Sequence, residues 1–521
     1  MPSDLPSTRN SALTFGRGTL LSRVLGFIRD MAIAALVGAD WVADALLLAF
    51  RLPFLGRSLL AEGAFAYALV PAYQESRNVD DSRAWTFIRS ATLVLFIFLG
   101  VLALLGFVFS DQLAGLLAPG FSDMPNLLAM TSRFLGLSLI SLPLVAGAAV
   151  CAAALIAERR FRRPAYATAV FNAVIIAFAA VAFLLYGTED EHTPYMLCAG
   201  VIAAGAVQWV YQAAPLVSLG FSWSGPVDFK DAALRRSLRA LPGSIFGIGG
   251  HYLNIFIATV LASFLAEGSI SALYYAERLI GFPLGVVGAT MGLAALSDLS
   301  RLVRTDESGK RAIAAEFPLR LAKAVRVTLF FALPATVGTA CLALPLTSVI
   351  FGRGEFDQAA LLTTSSVLLA FTVGLPALAA ARPLLAGLGA LGDFNAAKRG
   401  ALWGVAATAL LGAGLLVFDA PWGMALAVSL AAWVNAAILI RALGRFAVFP
   451  SPGGVWVLKV LTACAFMAAC VLWMAGLFDS HAAKAATVPL GVVAYFVAAF
   501  VLRLEEASLV MPAVNWLLHR K

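Results

Sequence analysis

Nine ionisable side chains interrupt stretches of sequence that are otherwise strongly apolar. Arg23, Arg29 and Asp30 stand in SRVLGFIRD; Arg51, Arg57 and Glu62 in FRLPFLGRSLLAEGAF; Glu277 and Arg278 in YYAERL; and Arg382 in the apolar run that begins at 359. A charge at the centre of a bilayer costs about 2.5–3.5 kcal/mol even on the lenient insertion scale, so such groups face a water-filled cavity or one another. Six cations against three acids leave an excess of three positive charges. That sign suits an anionic ligand, and the planar fork of arginine suits phosphate oxygens, which two parallel N–H bonds can hold. Structural ion pairing is the competing use. Arg29 with Asp30 and Glu277 with Arg278 are the obvious members of such pairs. Neighbours in sequence point to different sides of a helix, so each is expected to find its partner elsewhere. Arg51 can snorkel to the outer interface, and Arg382 can serve a structural role. Arg23, Arg57 and Arg278 lie deepest or lack a local partner.

Pro53 and Gly56 fall between Arg51 and Arg57, and Pro283 and Gly285 follow Arg278. Proline removes a backbone donor and crowds the preceding turn, and glycine loosens what remains, so both helices are expected to bend there. A bend beside a phosphate-holding arginine would act as a hinge. An inert packing kink is the simpler alternative.

The elements that carry these residues follow from composition. Of 521 residues, 61% are hydrophobic and 13% charged, which leaves too little polarity to clothe a soluble domain. Apolar runs of at least one spanning length recur from end to end, too long and continuous for the alternating segments of a membrane barrel. The expected fold is all-α and polytopic, with about fourteen crossings. They fall near 13–38, 44–75, 84–109, 126–157, 163–186, 194–219, 241–265, 270–299, 318–346, 359–391, 396–418, 422–446, 454–478 and 485–504. Alternate breaks carry Arg77 and Arg83, Arg159 to Arg163, Lys230 to Arg239, Arg301 to Arg311, Lys398 and Arg399, and Arg441 and Arg445; the other breaks are acidic. The excess of Lys and Arg places the basic loops and both termini in the cytoplasm. The net charge of +8 therefore belongs to the membrane surface, and no nucleic-acid partner is expected.

A repeat is visible. Residues 45–52 read ALLLAFRL and 272–279 read ALYYAERL, five of eight identical and 227 positions apart. Each begins the second span of a six-span set that starts on the same side, the pattern of a parallel repeat about the membrane normal. The expected organisation is 1–220 with spans one to six, 221–240 as a cytoplasmic amphipathic linker, 241–450 with spans seven to twelve, and 451–521 with two further spans and a tail. Residues 226–240, PVDFKDAALRRSLRA, are expected to form the helix of that linker.

Cys151, Cys198, Cys341, Cys464 and Cys470 are scattered through apolar runs without disulfide or metal-ligand spacing, and four dispersed histidines argue against a metal site. No cofactor is expected. The only Gly-Lys pair, at 309–310, is followed by Arg311 and lacks the upstream glycine of a nucleotide-binding loop, so the drive must come from a coupling ion or the membrane potential. Spans seven, eleven and twelve have no interior carboxylate, and a sodium site there would rest on Asn254, Thr408, Asn435 or backbone carbonyls. The outer loops are short and hold no acid–base constellation, which disfavours a membrane glycosyltransferase and makes a non-enzyme the expectation.

SRVLGFIRD, ADALLLAFRLP, LLAEGAFAYALVP, APGF at 118–121, ERRFRRPAYATAVFN at 158–172, YYAERLIGFPLGVVG and FGRGEF at 351–356 together resemble the MurJ/MviN family of lipid II flippases, in order along nearly the whole chain. The resemblance implies a two-lobed transporter fold of the kind shared with multidrug exporters, in a bacterial inner membrane. It also implies a central cationic cavity opening alternately to either side and an undecaprenyl-pyrophosphate-linked disaccharide-pentapeptide as ligand. The family's functional arginines fall on Arg23, Arg29, Arg57 and Arg278, and its acids on Asp44 and Glu62. By spacing alone Asp44 reads as a helix cap at the outer end of the second span. Cell-wall synthesis proteins and membrane lipids are the implied partners. In one departure, GDFNAAKRG lacks the proline expected after the aspartate. Two alternatives share most of these features: a flippase for another polyprenyl-linked oligosaccharide, and a multidrug exporter, whose cationic substrates would favour a cavity rich in carboxylates.

Overall fold

The computed structural model describes residues 8–59, 65–188, 190–305, 311–448 and 451–510. Glu62 lies outside them. The chain divides into two compact units, Met1–Phe256 with Arg353–Asp357, and Ile257–Gly352 with Gln358–Lys521.

The described elements of the first unit are helices: α1 (Thr8–Val37), α2 (Trp41–Leu59), α3 (Phe65–Val79), α4 (Asp81–Val108), α5 (Ser110–Leu117), α6 (Pro125–Leu139), α7 (Ser141–Ala157), α8 (Arg162–Tyr186), α9 (His192–Val217) and most of α10 (Ala232–Ala262). The second contains α11 (Ser269–Ser300), a short hairpin of β1 (Val303–Thr305) and β2 (Arg311–Ile313), α12 (Phe317–Cys341), α13 (Ala343–Phe351), α14 (Gln358–Thr372), α15 (Leu375–Ala390), α16 (Phe394–Leu415), α17 (Trp422–Gly444), α18 (Gly454–Gly476), α19 (His481–Ala485) and α20 (Val488–Val501). Among the described residues nine helical stretches are long and apolar enough to cross a membrane, or ten if α14 and α15, bent by 41°, form one crossing. Of the remaining helices, α1, α10 and α11 have 30, 31 and 32 residues, more than the roughly 20 needed to span the hydrocarbon.

The repeat is visible in the packing. In the first unit α2 and α4 each pack on α6 and α7, α7 packs on α9, and α8 on α9; in the second α11 and α12 each pack on α14 and α15, α15 on α17, and α16 on α17. The matching octets sit alike: Ala45 to Phe50 and Ala272 to Ala276 are each at most 1% exposed. The two added helices form a satellite core, with α18 packed on α12 and α20, and Tyr495 donating to the Phe330 carbonyl at 2.7 Å.

One expectation requires correction. The helix expected over 226–240 begins only at Ala232. Asp231 is its cap, accepting from the N–H groups of Ala233 and Leu234 at 2.7 and 3.0 Å, and the preceding residues are drawn onto α4, where Ser90 Oγ accepts from the Asp228 N–H. Pro53 and Pro283 both lie inside their helices, α2 and α11. The turn lacking the expected proline closes by other means. Gly392 adopts a left-handed conformation, the Asp393 N–H reaches the Leu388 carbonyl at 2.9 Å, and the Asp393 side chain caps α16 through the Ala396 N–H.

Candidate anion-binding site

The first unit gathers Arg29, Arg57, Phe54, Phe171 and Asn172 from α1, α2 and α8. Arg29 is only 4% exposed; its Nε and Nη2 donate to Asp30 Oδ1 at 2.9 and 2.7 Å, and its Nη1 donates to Asn172 Oδ1 at 2.9 Å. The guanidinium stands 4.7 Å from the Phe54 ring centroid, Phe54 meets Phe171 edge-on at 6.3 Å, and the Arg57 guanidinium lies 5.4 Å from Phe171. Two buried cations are thus joined by a two-ring ladder whose faces favour positive charge. The ladder follows from helix periodicity: Phe54 and Arg57 are three residues apart and share a face of α2.

The expected separation of Arg29 from Asp30 does not hold. The arginine stem is long enough to fold back around its own helix, so neighbours in sequence pair directly, at 2.7 Å. One of the counted cations is therefore already neutralised. Asn172 went unrecognised among the functional residues because a lone asparagine in an apolar helix reads as packing. Its Nδ2 also donates to the Ser22 carbonyl at 3.0 Å, so one carboxamide ties α8 to two points of α1.

Arg23, six residues before Arg29 on α1, is half-buried and has no hydrogen-bond or ion-pair partner among the described residues. Arg51 is buried, on the same helix as Arg57. Asp44 is 1% exposed in the first turn of α2, but it is not the cap: Asp40 takes that role, its Oδ1 accepting from the Ala43 N–H at 2.8 Å. Gly56 abuts α7, where an added Cβ would come within 2.5 Å of Leu142 Cδ2.

The FGRGEF segment supplies a further piece of this unit. The Glu355 N–H donates to the Ala35 carbonyl at 3.1 Å, at the end of α1. Gly38 and Gly354 both have positive φ and pack backbone to backbone there, which explains the glycine that an arginine-glycine pair carries in this position.

In the second unit, Arg278 is half-buried with its guanidinium 4.7 Å from the Tyr274 ring one turn earlier, and Tyr275 packs on Phe351 at 4.9 Å. Arg382 is exposed on α15, and Pro283 and Gly285 are half-buried on α11. Among the described residues Thr408 Oγ1 is buried there without a hydrogen-bond partner, as Asn254 Oδ1 is in the first unit. Among the described residues no cluster of three or more His, Cys, Asp or Glu forms.

These features define a class: a polytopic helical membrane protein of two repeated six-helix units with two added helices, carrying buried arginines in its spans. A family model described as Lipid II flippase MurJ matches residues 33–493. The chain belongs to that family. A probable lipid II flippase MurJ of Haemophilus influenzae is 31% identical over 468 residues, covering 87% of this chain and 90% of the relative, and one of Rhizobium meliloti is 33% identical over 438 residues, covering 82% and 79%. A solved lipid II flippase MurJ in an inward closed conformation superposes with a TM-score of 0.80 at 22% identity, over 94% of this chain and 99% of that one. An inward-facing multidrug transporter of the MATE family, from the MOP superfamily, gives a TM-score of 0.66 at 13% identity, over 82% and 94%. At such identities these two likenesses speak to the fold.

Proposed function

We propose that this protein carries a polyprenyl-pyrophosphate-linked peptidoglycan precursor, lipid II, from the inner to the outer leaflet of the bacterial inner membrane by alternating access, with both termini cytoplasmic. The observation that carries the reading is the pair of buried guanidiniums of Arg29 and Arg57 set on the Phe54–Phe171 ladder, with Asp30 as the carboxylate bonded to Arg29. Family membership supports the choice of ligand. In the mechanism, Arg23, Arg29, Arg57 and Arg278 grip the pyrophosphate while the prenyl tail stays in the bilayer, and Arg51 and Arg382 add positive potential. Asp44 and Glu62 compete for the arginines once the ligand has left. Pro53, Gly56, Pro283 and Gly285 give α2 and α11 the compliance the exchange requires. An ion gradient or the membrane potential drives the cycle, and the lipid is moved without covalent change. Lipid II is the partner, with cell-wall synthesis proteins receiving it outside.

The test is depletion of the protein in a host that requires it, with the leaflet of lipid II as the readout and Arg23→Ala, Arg57→Ala and Arg278→Ala as complementing variants. Loss of outer-leaflet lipid II with each variant is expected, with the lipid chemically intact. Full rescue by all three at normal expression overturns the assignment. A flippase for a different polyprenyl-linked glycan would leave lipid II topology unchanged on depletion.

A further inference from the structure

A groove of about 430 Å³ opens on the outer surface of the first unit, between α4, α9 and the segment that follows α9, and none of the arginines assigned to the substrate takes part in it. Its walls are aromatic. Phe96 packs on Trp209 at 5.3 Å between centroids, and Trp209 meets Trp223 edge-on at 5.8 Å. Trp209 is held in place by Gly147 of α7, where any Cβ would fall within 2.6 Å of the indole. Leu93, Val210 and Trp223 are 37%, 67% and 45% exposed, so the groove faces sideways into the lipid.

Its polar side chains, Arg89 and Thr92, can both donate. Arg89 is 8% exposed and donates to the carbonyls of Pro226 at 3.0 Å and Ser222 at 2.9 Å and to Thr86 Oγ1 at 3.2 Å. These acceptors are neutral, and among the described residues no carboxylate pairs with this guanidinium, so its charge is uncompensated and two of its five N–H groups are uncommitted. Thr92, one turn deeper, is 5% exposed, and its Oγ1 has no hydrogen-bond partner among the described residues. The indole N–H of Trp209 is turned toward α7, beside Gly147 and the Cys151 thiol, and serves to fix the ring that walls the groove. A buried donor without an acceptor is costly, about 1–3 kcal/mol, and such atoms in a groove mark what its occupant must supply.

We propose that this groove binds an anionic glycerophospholipid. The phosphate sits at Arg89, a glycerol ester carbonyl accepts from Thr92, and the acyl chain lies along Leu93, Phe96 and Val210. The spacing fits: Arg89 and Thr92 are about 4.5 Å apart along the axis, and Phe96 lies about 6 Å further. Free phosphate would leave the apolar wall unused, and a zwitterionic lipid would place its own cation against Arg89. Tryptophan at the level of the head groups is the usual interfacial arrangement. Because Arg89 also clamps the 222–226 backbone to α4, an occupied groove would brace the segment that leads into α10.

The test is native mass spectrometry of the full-length protein extracted from vesicles of equal phosphatidylglycerol and phosphatidylcholine. The wild type is expected to keep phosphatidylglycerol in preference. Thr92→Val, which leaves the Arg89 clamp in place, should weaken retention about fivefold. Val210→Trp, which fills the groove from its open side, should abolish it, while Val181→Trp, equal bulk on the lipid-facing side of α8, should not. Equal thermal midpoints of the two tryptophan variants establish that folding is unaffected. Equal retention of the two phospholipids, unchanged retention in Val210→Trp, or loss of a bound polyprenyl phosphate in its place overturns the proposal.

Discussion

The Arg29 guanidinium and the Asn172 carboxamide meet at 2.9 Å, and through Nδ2 the same asparagine holds the Ser22 carbonyl at 3.0 Å. One neutral side chain thus fixes both the orientation of a buried cation and the docking of α1 on α8. Asn172→Leu keeps the volume and abandons both bonds, leaving a buried charge short of an acceptor. A loss of about 2 kcal/mol is expected, read as a lower thermal midpoint of the purified protein. Asn172→Asp separates the two roles. It keeps an acceptor for Arg29 but adds a second carboxylate, so it should fold better than the leucine variant and still complement poorly. A leucine variant with an unchanged midpoint and full complementation would show that the bond orients nothing.

The glycines differ in what surrounds them. Gly354 has φ +61°, and an added Cβ would lie 2.1 Å from the Ala35 carbonyl oxygen, which is backbone and cannot give way. Gly56 is helical, and the atom it would meet is the end of the Leu142 side chain. Gly354→Ala should therefore cost about 2 kcal/mol or more, whereas Gly56→Ala should fold with a midpoint close to wild type. If α2 flexes at Gly56 during transport, the alanine variant will complement less well than its stability implies. Thermal unfolding together with complementation distinguishes the two effects.

How much of this was legible in the sequence depends on the range of each interaction. The spans and the repeat were readable because hydrophobicity and loop charge are local, and the first five residues of ALLLAFRL are buried just as those of ALYYAERL are. Pairing was not. Whether Arg29 turns to Asp30 or away depends on rotamers and on the helix packed opposite, and Asn172 enters from 143 residues away. Asp40 and Asp44 are both acids near the start of α2, and only backbone geometry shows that the first is the cap. Arg89, two turns from the start of α4, was not among the residues that the sequence singled out. Its carbonyl partners come from beyond α9. The glycines of FGRGEF were visible as a motif, yet their reason, a backbone contact with α1, is tertiary.

Outside the membrane, Asp190 accepts from both the backbone N–H and the ring Nδ1 of His192, each at 2.7 Å, and these bonds hold its pKa below the usual 3.8. A carboxyl group whose folded pKa is depressed contributes stability that is present above the unfolded value and lost as pH falls through the folded one. The thermal midpoint of the wild type should therefore drop as pH is lowered from about 4. Asp190→Asn should show a shallower drop over the same range and little difference from wild type in shape near neutrality. The group is fully exposed, so the effect belongs to the α8–α9 turn. Parallel curves for the two proteins below pH 4 would remove Asp190 from the acid response.

Arg57 provides the sharpest separation of charge from geometry. Its guanidinium lies over Phe171 at 5.4 Å, buried where an ammonium would have to give up stronger hydration and would lose the planar stacking. If the site needed only positive charge, Arg57→Lys would complement. If it needs a fork held flat by an aromatic ring, Arg57→Lys should fail nearly as completely as Arg57→Ala. Phe171→Leu, which keeps an apolar contact but removes the ring face, should then reduce activity about two- to tenfold, the range of a cation–π contact of roughly 0.5–1.5 kcal/mol. The readout is the rate at which lipid II reaches the outer leaflet at matched protein levels. A lysine variant that matches wild type while Phe171→Leu has no effect would reduce the ladder to packing and leave the arginine as a simple point of charge.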